Sequence, residues 1–226
     1  MAKKKENSVK WVLIHSLWYW LTILLITIPI MSWKIIFMGI TAAILHMSID
    51  LLKYWYMFNL KKKNEMTLTK DRNIFFIDQL FHLICLVSIS YLVVMADESI
   101  YVYKFFTQLF DIVGISKVSF ASWIVALLII HKPANIAISK LLVIYKPASN
   151  EEEKKDNNAG RFIGTIERII MLIFISIGQY SAIGLVLTAK SIARYDKISK
   201  EKDFAEYYLL GTLISTVVVL VFSFIV

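Results

Sequence analysis

Apolar runs close to twenty residues long recur along this chain, separated by short charged segments. A helix of about twenty residues, rising roughly 1.5 Å per residue, just crosses about 30 Å of hydrocarbon. Inside lipid each backbone N–H and C=O must find its partner within the protein, so only helices and closed barrels can span. No stretch shows sustained period-two alternation, which argues against a barrel. Three prolines and seven glycines leave long helices few interruptions. At 58% apolar and 19% charged, the chain lies on the membrane side of the soluble average of about half and a quarter. The expectation is an all-α, polytopic integral membrane bundle of about five to seven segments.

The runs place the spans. The first covers about Trp11–Ile30, with Trp18, Tyr19, Trp20 and Trp33 near its ends, as interfacial aromatics are. The second covers Trp33–Phe58, the third Ile74–Ala96, and the fourth Ser119–Tyr145. His131-Lys132-Pro133 interrupts the fourth, so a kink or two half-helices are expected there. Phe105–Val118 reads as an amphipathic segment lying in the interface. Lys146–Gly160 contains Glu151-Glu152-Glu153-Lys154-Lys155-Asp156 and reads as a polar cytoplasmic linker. It divides an N-terminal four-span region, residues 1–145, from a C-terminal membrane region, residues 161–226. Phe162–Ala189 reads either as one tilted span or as a hairpin turning near Gly178-Gln179-Tyr180-Ser181. The hairpin is preferred because it returns Lys190, Arg194, Lys197 and Lys200 to the inner side; its short arms make it re-entrant. The last span is Tyr207–Val226.

The net charge of +8 collects in short loops, where it orients the chain and gives no cause to invoke nucleic acid. The basic start, the Lys61-Lys62-Lys63 loop and the linker place the N-terminus in the cytoplasm and the C-terminus outside, in a multi-pass cell-membrane protein. The single cysteine, Cys85, excludes a disulfide framework. The first run is too long for a cleaved signal peptide and lacks a small-residue cleavage pattern. Walker A, GxGxxG, HExxH and GxSxG patterns are all missing.

Against this apolar background the intramembrane polar residues stand out. His46 and Asp50 are four apart, on one helix face, with Lys53 a turn further on. Asp78 and His82 repeat the spacing in reverse order on the next span, which should run antiparallel to the second. His15 enters at a similar depth on the first span. A charge at mid-membrane costs about 2.5–3.5 kcal/mol even on the gentler insertion scale, so such groups must pair, neutralise, meet water or bind a cation. His15, His46, Asp50, Asp78 and His82 suit zinc or another first-row divalent ion, which would acidify a water molecule. The plainer reading is an Asp–His hydrogen bond between helices.

A second group is Gly160-Arg161-Phe162-Ile163-Gly164-Thr165-Ile166-Glu167-Arg168. Arg168 is suited to a bidentate grip on phosphate or carboxylate, Glu167 to acting as a base or an orienting group. The plainer reading is an ion pair from Arg168 to Asp50 or Asp78. Lys53, Lys190 and Arg194 are candidate substrate-binding cations, or else snorkelling and topology anchors.

His46-x-x-x-Asp50-x-x-Lys53 followed by Asp78-Gln79-x-x-His82 resembles a bacterial family of polytopic membrane proteins labelled only as a domain of unknown function. Lys132-Pro133-Ala134-Asn135, Ala159-Gly160-x-x-Ile163-Gly164-x-x-Glu167-Arg168, Ala189-Lys190-Ser191-x-x-Arg194 and Glu206-Tyr207 resemble its C-terminal half. The resemblance implies a membrane protein, often encoded beside a SatD-like protein, and brings no established reaction. Members usually begin with a further helix carrying His-x-x-x-Asp and a Gln, and this chain begins after that point.

Three functions are compatible with these features. The first is an inner-leaflet, metal-dependent enzyme acting on a lipid or phosphorylated head group. The second is a cation or proton transporter or channel. The third is a non-catalytic membrane sensor or scaffold whose linker docks a cytoplasmic protein partner.

Overall fold

The computed structural model describes residues 8–95, 101–147 and 157–226. Those residues form helices joined by short turns, with no strand among them. They fall into two compact units, Met1–Gly114 and Ile115–Val226.

In the first unit α1 covers Val9–Thr27 and α2 covers Trp33–Lys62. A 3₁₀ turn, Ile28–Ile30, joins them; Pro29 has no N–H with which to continue α1. The Ser32 side chain accepts a hydrogen bond from the Ile35 N–H and caps the start of α2. The other end of α2 carries Lys61 and Lys62 in its last turn, where cations offset the exposed carbonyls. Asn64 then turns the chain with φ 55°, a left-handed conformation that asparagine tolerates well. Thr67 accepts from the Lys70 N–H and starts α3, Leu68–Met95. Gly39 lets α1 and α2 approach closely, since a Cβ there would stand 3.2 Å from Ile23 Cγ2. The Tyr103 N–H and hydroxyl donate to the carbonyls of Pro29 and Met31, tying the start of α4, Lys104–Val113, to the α1–α2 turn. Phe105, Leu109, Ile112 and Val113 form one exposed apolar stripe on α4, as the interfacial reading expects.

In the second unit α5 covers Lys117–Leu141, α6 Asn157–Ser176, α7 Tyr180–Ala193, α8 Tyr195–Lys200 and α9 Lys202–Ser223. Ala126, Ile130, Met171, Leu172 and Val219 form its core, drawn from α5, α6 and α9. Of the two expectations at His131-Lys132-Pro133, half-helices are excluded, since α5 is one continuous helix with Pro133 inside it. Neighbouring helices supply the partners that a proline in a spanning helix needs. The expected hairpin is present. α6 ends at Ser176, Gly178 with a φ of 73° reverses the chain, and α7 returns beside α6. One tilted span over Phe162–Ala189 is thereby excluded. By its contacts the fourth span packs with the C-terminal helices, whereas the linker reading groups it with the first three. Residues 148–156 of that linker lie outside the described residues, and Asn157–Gly160 already belong to α6.

Five of the described helices are long and apolar enough to cross a membrane: Val9–Ile30, Trp33–Lys62, Leu68–Met95, Lys117–Leu141 and Lys202–Ser223. Several run past the apolar segments that mark them in the sequence, because a helix continues through polar residues until a cap or turn stops it. Exposed surface is dominated by Leu, Ile, Val, Phe and Trp, while Asp50, Asp78, Glu167 and Arg168 are buried. That inversion suits lipid as the surrounding medium.

Candidate metal centre

Three helices of the first unit bring their polar residues together, from mid-helix toward the side of the Lys61-Lys62-Lys63 turn. His15 comes from α1, His46, Asp50 and Lys53 from α2, and Asp78 and His82 from α3. The four-residue spacings stack each His–Asp pair on one helix face. Asp50 sits in the middle and is 1% exposed. His46 Nε2 lies 3.6 Å from its Oδ2, His15 Nε2 3.9 Å from the same oxygen, and His82 Nε2 3.9 Å from Oδ1. His15, His46 and Asp50 each offer one donor atom within 4.8 Å of the others, and so do Asp50, Asp78 and His82, so the two groups share Asp50.

These separations carry information. A hydrogen bond closes to about 2.7–3.2 Å. Donor atoms about 2.1 Å from a tetrahedral ion stand about 3.4 Å from one another. The imidazole–carboxylate distances are too long for the first and slightly wide of the second.

The groups behind these donors fix them in the form a cation needs. His82 Nδ1 is 2.7 Å from the Asp78 carbonyl oxygen. A carbonyl only accepts, so Nδ1 carries a proton, and whenever the ring is neutral the lone pair is on Nε2, the nitrogen turned toward the cluster. Nε2 is buried and has no hydrogen-bond partner. A lone pair aimed at a carboxylate is repelled unless positive charge lies between them. On Asp78, Lys53 Nζ donates to Oδ2 at 2.9 Å and Gln79 Nε2 donates to the same oxygen at 3.0 Å. Oδ1 is left buried without a hydrogen-bond partner, 3.8 Å from His82 Nδ1. Orienting partners of this kind hold metal ligands in known sites. Tyr19 stacks on the His46 ring at 4.0 Å, and the His82 ring meets His46 edge-on at 4.4 Å. His15, with its side chain 37% exposed, is the open side of the cluster.

The other residues singled out in the sequence lie in the second unit. Arg168 is 2% exposed, and its bonds join three helices. Nε–H donates to the Ile130 carbonyl at 2.8 Å, Nη1 to Ser215 Oγ at 3.2 Å, and Nη2 to Asn135 Oδ1 at 2.7 Å and Thr165 Oγ1 at 3.4 Å. Asn135 Nδ2 also donates to Thr165 Oγ1 at 2.7 Å. Lys190 Nζ donates to Glu167 Oε2 at 2.7 Å, closing the α6–α7 hairpin, and lies 5.4 Å from the centre of the Tyr208 ring. Arg194 lies where α7 gives way to α8.

Tyr19 and Ser215 also belong to these networks, and the sequence marks neither as a site residue; Gln79, Asn135 and Thr165 stand in its motifs without an assigned role. Tyr19 is four residues after His15, and that spacing is a usable signal for a shared face. Neutral polar residues such as Thr165 and Ser215 give no such signal, because they are cheap to place anywhere in a spanning helix.

Fold and cluster define a polytopic α-helical membrane protein whose buried His and Asp residues are able to coordinate a metal ion. Residues 1–110 match the model of the family described as "Protein of unknown function (DUF3307)". The matched region contains all five His and Asp residues and ends close to the boundary of the first unit. No curated protein and no solved structure matches the chain.

Proposed function

We propose that His15, His46, Asp50, Asp78 and His82 hold a divalent first-row metal ion, zinc foremost, and that the protein is a metal-dependent enzyme acting on a phosphorylated lipid head group at the inner leaflet. One observation carries this reading: Nε2 of His82, its ring oriented by the Nδ1–H bond to the Asp78 carbonyl, is turned toward the carboxylate of Asp50 with His46 and His15 on the other oxygen. Mixed imidazole and carboxylate donors in these numbers suit zinc, manganese or iron. Such an ion would polarise a phosphoryl oxygen and acidify a water molecule.

The chain's own residues have separate tasks. Asp50 and the three histidines bind. Gln79 and Lys53 orient Asp78, and Lys53 adds a cation at the edge of the cluster. Tyr19 and the surrounding apolar helices keep bulk water away, and the exposed side of His15 admits the head group. The inner-leaflet placement is supported by Lys61-Lys62-Lys63 on the side of the unit toward which the cluster lies.

The test is hydrolysis by the full chain in nanodiscs that contain a radiolabelled anionic phospholipid. Release of a water-soluble phosphorylated product, abolished by a chelator and restored by zinc or manganese, is the expected result. Ion or proton flux through liposomes that depends on Asp50 and His46, without hydrolysis, would replace this reading with transport.

A further inference from the structure

The second unit has a cleft of about 490 Å3 that is lined by parts of α5, α6, α7, α8 and α9. Six of its lining residues are cationic: Lys146, Arg161, Arg168, Lys190, Arg194 and Lys197. Among the described residues no Asp or Glu lines it. Glu167 and Asp196, carboxylates next in sequence to lining residues, are not part of the lining, and Glu167 accepts a hydrogen bond from Lys190. Arg168 forms the floor, its guanidinium fixed by Ile130, Asn135, Thr165 and Ser215. Gly164 keeps that floor bare: a Cβ there would stand 3.4 Å from Arg168 Nη1. Arg161, Arg194 and Lys197 are more exposed and line the cleft above the floor, and Lys197 is steadied 4.6 Å over the Phe204 ring.

So much like charge around one concavity repels itself, and in a cleft with apolar walls the repulsion is poorly screened. A topology signal needs cations at the membrane surface only; it does not need them to converge on a hollow. A bound anion removes the repulsion, and a phosphate offers the multiple oxygens that several Arg and Lys side chains can share. Part of the wall is apolar, through Ile138, Leu142, Val143 and Ile163. The hollow therefore suits a charged group with hydrocarbon attached to it.

We infer that this cleft is a binding site for a phosphate-bearing anion, distinct in residues from the His and Asp cluster and independent of any metal held there. Arg161, Arg194 and Lys197 grip the phosphate, and the Lys190–Glu167 pair together with Arg168 keeps the walls in place.

Native mass spectrometry of the full chain in detergent tests this, with a chelator present so that the metal centre plays no part. Short-chain phosphatidylglycerol is compared with short-chain phosphatidylcholine, and glycerol phosphate is added as a competitor. Phosphatidylglycerol is expected to be retained about tenfold more strongly. The double variant Arg194→Gln, Lys197→Gln should weaken that retention roughly twenty-five-fold, at about fivefold per cation. Lys200→Gln removes a neighbouring charge outside the cleft and should leave retention unchanged, as should His46→Ala. Competition by glycerol phosphate would identify a soluble phosphate ester as the ligand, and its failure to compete a lipid head group; either supports the site. Equal retention of the two lipids, undiminished binding by a double variant that melts like the parent, or an equal loss in Lys200→Gln would overturn it.

Discussion

Around Asp50 in the first unit, three imidazole nitrogens stand 3.6–3.9 Å from the carboxylate oxygens. Around Arg168 in the second, four neutral acceptors stand 2.7–3.4 Å from the guanidinium nitrogens. Both groups are almost fully buried, and both sit among helices whose outer faces are apolar. The Arg168 contacts are at hydrogen-bond length and link α5, α6 and α9, so that network explains itself as helix-to-helix attachment. The Asp50 contacts are wider than that, and the His82 and Asp78 atoms beside them have their other sides held by a backbone carbonyl, Gln79 and Lys53. Spacing and orientation, more than burial or charge, separate a network that packs helices from one able to coordinate an ion.

The comparison can be broken by substitution. The largest effect is expected for Asp50→Ala, which removes the carboxylate common to both ligand groups. Metal affinity should fall by at least about a hundredfold, measured by competition with a chromophoric chelator, while the second unit's hairpin stays resistant to protease. Arg168→Ala should do the reverse. It leaves the Ile130 carbonyl and Asn135 without their partner and opens a void, costing about 3 kcal/mol in detergent unfolding, with metal content unchanged. Arg168→Lys should not restore stability, because one ammonium cannot reach acceptors on three helices.

Smaller changes sharpen the contrast. Gln79→Ala removes one of the two groups holding Asp78 Oδ2. It is expected to weaken metal binding by about tenfold with little loss of stability, since first ligands remain and only their orientation loosens. Lys190→Gln breaks the bond to Glu167 and should cost about 2 kcal/mol in unfolding, with no effect on metal. If Gln79→Ala destabilised the protein as much as Arg168→Ala does, the Asp78 network would be packing of the same kind.

Much of the fold could be read from the sequence because lipid imposes a simple rule on it. Apolar runs located the five spanning helices, and the charge bias of Lys190 to Lys200 favoured the hairpin that Gly178 makes. The helix ends were less visible, since Ser32, Asn64 and Thr67 stop or start helices through local hydrogen bonds and backbone angles that hydropathy does not register. Pro133 left two readings open, a kink or two half-helices, because what a proline costs depends on neighbours the sequence does not specify; the helix runs on through it. In the candidate centre, His46–Asp50 and Asp78–His82 were legible from their spacing. That Lys53 would turn to Asp78, and that Arg168 would be surrounded by neutral acceptors, was not. Those partners come from other helices, and side-chain direction across a helix interface is set by packing.

The central claim is that the five His and Asp residues are metal ligands. Elemental analysis of the intact chain, purified without chelators and exposed to zinc before gel filtration, tests it most directly. About one first-row divalent ion per chain, lost in Asp50→Ala and in His46→Ala but kept in Arg168→Ala, is the predicted result. Intact, folded protein that retains no such ion under those conditions would contradict it.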